Sequence, residues 1–527
     1  MPRLELARRG RQRGRAAPVA CAALCTVLCS CAVGPDFHAP SLVPPEGFRA
    51  ASGAPAAAAS PGTPARHAVD VAQWWHALGD AELDALVERA LRDNPDLDIA
   101  LQRLQQARTI ELAVTGTALP RIEASAGGAR GSGSDLTRGR LPSALGSADR
   151  AVPGGAPISQ IAGVDAFWEL DLFGHLRRQI EAARYDAQAA AAARDAVQIA
   201  VIADVVRAYV DLRGQQMQLA VAQQNAQTER RLLEVVETRF ERGITNELDA
   251  TLARRQLATV LAQLPVLRSQ VDAQRYALAA LLGLFPRDLD AELGVPGPVP
   301  LVPDAVAPGL PLELLRRRPD IRAAEWELAS ATARVGVATA DLFPRLGLNA
   351  GIGAEGLGQG LHPAQHQSIW SAGYVAYFPL LDFGVLDALA EVADLRAREG
   401  LAQYRRTVLH AVQEVDAAIG AFEGQQEGLA NLQEAVVASG RAVTLSTERY
   451  ERGLTDFLNV VDAQRRAYEL EGQYVAAQTT QAEQFVALYR ALGGGWEQYA
   501  GPPRLRTPQP ALVAMFRRLL EPSAGLP

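Results

Sequence analysis

The feature that most limits the fold of this chain is that its second half repeats the order of its first. Asn94-Pro95-Asp96-Leu97 returns as Arg318-Pro319-Asp320-Ile321, and Leu119-Pro120-Arg121 as Phe343-Pro344-Arg345, each 224 residues later. Further on, Leu172-Phe173-Gly174 is matched by Asp382-Phe383-Gly384, Arg239-Phe240-Glu241-Arg242-Gly243 by Arg449-Tyr450-Glu451-Arg452-Gly453, and Leu282-Gly283 by Leu492-Gly493, now 210 residues later. The spacing shortens between the Pro-Arg and Phe-Gly markers, so the first copy carries the longer insertion there. A unit of this size is one supersecondary assembly used twice, not a short-period solenoid. The 527-residue length therefore belongs to one duplicated plan rather than to several unrelated domains.

Within each copy the stretch from the Phe-Gly marker to the Arg-x-x-x-Gly marker holds no proline, and from His175 to Glu241 it would span about 100 Å as one helix. Val408, Val412, Val415, Ile419 and Phe422, continued by Leu429 and Val436, step by four and three, the coiled-coil spacing. Alanine supplies much of the 48% hydrophobic content, which suits closely packed helices. Helices this long must lie against partners of similar length. Gly243 and Gly453 suit the left-handed position that ends a helix, and Thr245, Asn246, Thr455 and Asp456 offer oxygens to cap the next one. Each copy thus contains a long helical hairpin with a tight turn at its tip.

The segments between the Pro-Arg and Phe-Gly markers follow a different period. Leu346, Leu348, Ala350 and Ile352 alternate with Gly347, Asn349, Gly351 and Gly353, and Trp370, Ala372, Tyr374, Ala376 and Phe378 with Ser371, Gly373, Val375 and Tyr377. Period two over about ten residues, with aromatics near the ends, fits a transmembrane β-strand. The first copy has a weaker pair near Ile122 to Gly128 and Ile158 to Leu170, and Gly/Ser/Ala-rich stretches at 129–157 and 354–368 read as loops. Four strands cannot close a barrel, and an open edge is not viable in lipid, so several chains must share one. No stretch after residue 31 is apolar enough for a membrane-spanning helix.

All four cysteines, Cys21, Cys25, Cys29 and Cys31, fall near the N-terminus, which excludes a distributed disulfide framework. Six arginines precede the apolar run Ala16 to Leu28, the form of a secretory signal peptide. It ends in Leu28-Cys29-Ser30-Cys31, which resembles a bacterial lipobox with Cys31 as the lipidated residue. The chain has a formal charge of −7, and removal of residues 1–30 makes it more acidic, which argues against nucleic acid as a partner. Gly351-Ile352-Gly353-Ala354-Glu355-Gly356 spells a dinucleotide fingerprint but opens no helix, and Pro363 opposes a helical metal pair of His362 and His366. No catalytic set of residues stands out, and no cofactor is expected.

Several segments resemble the TolC-like outer-membrane factors, and within them the outer-membrane efflux lipoproteins of the OprM/NodT type. They are Cys31-Ala32-Val33-Gly34-Pro35-Asp36-Phe37, Trp74-Trp75 with Leu83 and Leu86, Trp168-Glu169-Leu170-Asp171-Leu172-Phe173-Gly174, the two hairpin tips, and Leu492-Gly493-Gly494-Gly495-Trp496. The resemblance runs from about residue 31 to 496; Leu386 departs from it, since many relatives have a basic residue there. It implies a mainly α fold with a small β part. Long antiparallel coiled-coil helices would form a trimeric α-barrel, and four strands per chain would contribute to a shared twelve-stranded transmembrane β-barrel.

The resulting division is a lipoprotein signal peptide 1–30, a lipidated N-terminal linker 31–73 and a first repeat 74–290, with strands at about 120–131 and 158–170 and a hairpin at 175–283. An inter-repeat linker 291–311, a second repeat 312–496 with strands at about 344–354 and 369–380 and a hairpin at 385–492, and a tail 497–527 follow.

The function implied is a passive efflux duct for drugs or other small toxic compounds, working as a homotrimer with a periplasmic adaptor and an inner-membrane pump of RND type. The neighbouring alternative is a duct for protein secretion, and the more distant one a structural coiled-coil lipoprotein without a pore. The resemblance places the periplasmic aperture at Leu458 and Asp462, with Arg465 as an ion-pair partner, and the adaptor-docking tips at Arg239, Gly243, Arg449 and Gly453. Three Leu458 side chains would make an apolar plug, and a ring of Asp462 would favour cations. Helical spacing puts 458, 462 and 465 on one face.

Overall fold

The computed structural model describes residues 32–41, 69–130, 158–303, 317–358 and 365–497. The leader, Cys31, His362, most of the loop between the first two strands and the tail beyond Glu497 lie outside the described residues. The chain divides into two compact units. Among the described residues, one comprises those within 32–41, 106–190 and 324–405, and the other those within 69–105, 191–323 and 406–497. In chain order the elements are α1 (Ala81–Asp93), α2 (Pro95–Gly116), β1 (Arg121–Arg130), β2 (Ile158–Leu170), α3 (His175–Glu241) and α4 (Glu247–Leu281). After the junction between repeats come α5 (Pro319–Ala340), β3 (Arg345–Gly358), β4 (Gln365–Tyr377), α6 (Val385–Glu451) and α7 (Phe457–Ala491). The duplication is exact in length at the hairpins: α3 and α6 have 67 residues each, α4 and α7 35 each. Among the described residues no helix is long and apolar enough to cross a membrane.

In the first unit the four strands form one antiparallel sheet in the order β1-β2-β3-β4. Its register brings like with like. Ile122, Ala166, Ala350 and Ala372 lie in one row across the sheet, and Val164, Ile352 and Trp370 in the next on the same face. That face is apolar and open, with Ile352 at 67% and Trp370 at 79% exposure. Glu123, Asp165, Gly351 and Ser371 form a row on the opposite face, which is polar and rich in glycine. The glycines there make room for neighbours. A Cβ on Gly347 would come within 2.7 Å of the Phe167 ring, and one on Gly351 within 2.6 Å of an Asp165 carboxylate oxygen.

The second strand pair is displaced from its expected bounds. β3 runs on to Gly358 and β4 begins at Gln365, because β2 offers backbone partners as far as Ile158, opposite Gly358. Glycine content suggested a loop there; ladder pairing outweighs it. β4 ends at Tyr377, shortly before Pro379, which has no N–H to donate. Asp171 caps the start of α3 through Leu176 and Arg177, and Asp382 caps α6 through Leu386, so the departure at Leu386 leaves the helix start intact. Residues 32–36 follow α3 closely: the buried Arg178 donates to the carbonyls of Val33 and Gly34 and to Asp36, which is 2.7 Å away.

In the second unit the repeat markers do equivalent work. Asn94 donates to the carbonyl of Leu281 at 2.7 Å, and Arg318 to the carbonyl of Ala491 at 2.9 Å, so each ties the start of a repeat to the last turn of its return helix. Trp74 stacks on Tyr489 with ring centroids 5.7 Å apart and meets Phe485 edge-on, forming a fully buried aromatic core beside the Gly493-Gly494-Gly495 turn. Arg213 is buried as well, and its donors reach Tyr209, Gln216, Glu82 and the carbonyl of Val295.

Candidate functional site

Both hairpin tips lie in the second unit and are built alike. Gly243 and Gly453 have φ of 69° and 72°, which lets Ile244 N–H reach back to the Arg239 carbonyl (2.9 Å) and Leu454 N–H to the Arg449 carbonyl (2.8 Å). This is the Schellman closure, and it gives Arg239 and Arg449 matching backbone roles. The next helices start differently. Asn246 accepts from Asp249 N–H at 3.0 Å, as expected of a cap. Asp456 holds the corresponding place without a side-chain cap bond, while Thr455 accepts from the Asn459 side chain at 2.7 Å.

The two tips meet through Arg239. Its guanidinium lies 5.1 Å from the centre of the Tyr450 ring and donates to the carbonyl of Glu451. Beneath them Val236, Ala250, Ala253, Tyr450, Phe457 and Val460 form one buried cluster, to which all four hairpin helices contribute. Along α7, Phe457, Val460, Val461 and Gln464 are buried, so Leu458, Asp462 and Arg465 fall on the opposite, open face. Leu458 is 59% exposed although the residue before it is wholly buried.

Asp462 is held by two arginines, not one. Arg465 and Arg466 both contact its carboxylate at 3.1 Å, and Glu469 lies near Arg465. Hydrogen bonds from Arg465, then Arg466, keep the Asp462 carboxyl below its ordinary range. Each chain therefore sets two arginines against Asp462 and Glu469 here, and the charge of Asp462 is largely compensated. Local spacing pointed to Arg465 and passed over Arg466.

Sequence reasoning also missed Leu248, which stands 210 residues before Leu458 and is as exposed, at 62%. The repeat offset was the signal that could have found it. Two carboxyls covered by neighbouring helices, Glu229 buried and Asp211 half-buried, were not expected either. Burial pushes Glu229, beside Tyr468 and Gln256, up to about 6. Burial, then the neighbouring Glu483, raises Asp211 to about 7.

A duplicated chain with two like hairpins and four strands can be compared with known families. The profile of the family described as outer membrane efflux protein matches residues 86–284 and 310–494. This chain belongs to that family. The efflux protein is 32% identical over 453 residues to the pyoverdine export outer membrane protein OpmQ of Pseudomonas putida, covering 84% of this chain and 92% of that one. It is 30% identical over 496 residues to nodulation protein T of Rhizobium leguminosarum bv. viciae, covering 94% and 96%. Among solved structures it resembles the outer-membrane channel OprN, with a TM-score of 0.77 and 34% identity over 89% of this chain and all of that one. The efflux protein is thus an outer-membrane channel of mainly helical fold with a four-stranded sheet.

Proposed function

We propose that three copies form the outer-membrane exit duct of a tripartite efflux assembly for small toxic compounds. A periplasmic adaptor and an inner-membrane pump of RND type complete it. The observation that carries this reading is the sheet: one apolar face, one polar and glycine-rich face, and, among the described residues, an unpaired edge at both β1 and β4. Such a sheet meets lipid on one side and water on the other only when closed, and three copies supply twelve strands. A coiled-coil lipoprotein without a pore would have no use for that asymmetry.

In this duct Leu458 forms the apolar constriction, and Asp462, with Arg465 and Arg466, the charged collar beside it. Asp462 acts chiefly by holding the two arginines against the helix. The tips at Arg239, Gly243, Arg449 and Gly453 present the docking shape to the adaptor, and acyl chains on Cys31 anchor the N-terminus in the membrane.

Reconstitution in planar bilayers tests the duct. Discrete single-channel steps from purified trimers support it, and a protein that inserts without conducting overturns it. Drug susceptibility of a deletion strain separates small-molecule efflux from protein secretion: hypersensitivity with normal secreted protein favours efflux, and the converse overturns it.

A further inference from the structure

We infer that the contact between α3 and α7 is a proton-binding seam: carboxyls covered within it take up protons that hold α7 against α3, and their release loosens the helix that carries Leu458 and Asp462. The link to conduction rests on the duct proposed above; the proton binding does not.

The seam runs antiparallel along both helices. Asp204 lies 3.7 Å from Arg490, Asp211 faces Glu483, and Glu229 faces Tyr468, so the partner on α7 moves towards the tip as the residue on α3 does. Between the last two pairs Gly214 lies against Thr479, with no room for a Cβ beside the hydroxyl. The helices close up at that glycine, and closing up covers the carboxyls.

Glu229 is 1% exposed and lies beside Gln256 of α4 and Tyr468 of α7. Gln464, one turn from Tyr468 on the same face of α7, is buried as well. Three oxygens of this layer, Glu229 Oε1, Gln464 Oε1 and the Tyr468 hydroxyl, have no hydrogen-bond partner among the described residues. Arg230 on α3, Arg255 on α4 and Arg465 on α7 each adjoin a residue of the layer in sequence, yet all three are exposed. The other charge acting at this level, Glu471 on Tyr468, is negative. A carboxylate so placed is costly, and a proton both removes its charge and supplies a donor for the unpaired acceptors. Asp211 and Glu483 face the same difficulty with each other. Arg207, one turn back on α3, is the cation acting on Asp211 and is exposed, so the two carboxyls hold one proton between them.

Helix packing alone does not call for these residues. At the equivalent positions of the other repeat, 210 residues away, Asp211 and Glu483 are replaced by Ala421 and Ala273, and Glu229 and Tyr468 by Ser439 and Ala258.

Burial raises Glu229 to about 6, and burial, then Glu483, raises Asp211 to about 7. Both bind protons more tightly in the closed seam, so the stability they add is complete below about pH 4 and is lost as pH rises through about 6 to 7. Gln464 is on the face of α7 opposite Leu458, Asp462 and Arg465, so a loosened seam frees the aperture residues to move. Asp462 itself, held below its ordinary range by Arg465 and Arg466, does not titrate in that window.

The full-length protein is compared at about pH 5 and about pH 8 by hydrogen exchange of α7, corrected for the intrinsic rate, and by single-channel recording. Protection of α7 in the parent should fall by at least about tenfold between the two, since each pKa unit is about tenfold in the equilibrium, and the open fraction should rise with it. Glu229→Gln with Asp211→Asn mimics the proton-loaded seam and should hold both readouts at their acid values. Each single variant should remove part of the change, and Glu234→Gln, which alters an exposed carboxyl on α3, should keep all of it.

Protection that ignores pH in the parent, or that follows pH as strongly in the single and double variants, would overturn the proton site. Protection that follows pH while the currents of a conducting channel do not would overturn the link to the aperture. Protection that follows pH in a protein that never conducts would overturn the duct and support the proton site.

Discussion

Phe457 and Leu458 are adjacent on α7 and face opposite ways, so truncating each to alanine should separate packing from gating. Phe457 is wholly buried, with its ring 5.1 Å from that of Tyr450 in the cluster that joins the two hairpins. Removing such a side chain costs about 3–5 kcal/mol in transfer and cavity terms. Each ~1.4 kcal/mol is tenfold in an equilibrium, so local opening of the tip should rise by about two to four orders of magnitude. Leu458 is 59% exposed and outside that cluster; its truncation belongs with surface changes of about 0.5 kcal/mol, about twofold in opening.

The assay is tryptic cleavage after Arg449, in the last turn of α6, and Arg452, where the turn begins, under conditions where reclosing outpaces cleavage and the rate follows the open population. Phe457→Ala should be cut far faster than the parent. Leu458→Ala should be cut at nearly the parental rate while its single-channel conductance rises. Equal acceleration of cleavage in both variants, with conductance unchanged in Leu458→Ala, would show that Leu458 is a packing residue and refute the aperture.

Asp462→Ala frees Arg465 and Arg466, and single-channel recordings should show higher conductance and a shift toward anions; unchanged currents would remove Asp462 from the aperture. Gly453→Trp imposes a left-handed backbone on a bulky residue at a cost of about 1–2 kcal/mol, too little to unfold the chain. Trimers should still reach the outer membrane while export fails, and normal export would dismiss the docking role. The raised Asp211 carboxyl binds its proton more tightly in the folded state, so the stability it contributes is complete below about pH 4 and is lost as pH rises through about 7. Thermal melts should lose that part of their pH slope in Asp211→Asn, and an unaltered slope would assign it to other groups. Cys31→Ala should abolish palmitate labelling; continued labelling would place the acyl chain elsewhere.

The architecture was largely legible in the sequence because it rests on periodicity and on the duplication. The alternation at 346–353 and 370–378 reports a two-faced sheet, and proline-free stretches of 67 residues report the helices. Strand ends were less legible, since pairing with a remote strand carried β3 to Gly358 through residues that locally read as loop. The tip glycines stood out because left-handed turns leave few alternatives. Arg178 did not: its partners Val33, Gly34 and Asp36 lie more than 140 residues away, and nothing near it in sequence marks it as buried. Asp211 and Glu229 were hidden for the same reason, being ordinary helix carboxylates until another helix covers them.

In the proposed duct the polar face of the sheet lines the channel, and its glycines set the bore by what they lack. Phe167 and Asp165 rest over Gly347 and Gly351 on the neighbouring strand, so their height above the wall is governed by residues with no side chain. A single methyl group at Gly347 would lift an aromatic ring rooted on another strand, and threefold symmetry would lift three at once. In that duct, permeability across the membrane is exposed to mutation at glycines that act through side chains rooted on the neighbouring strand.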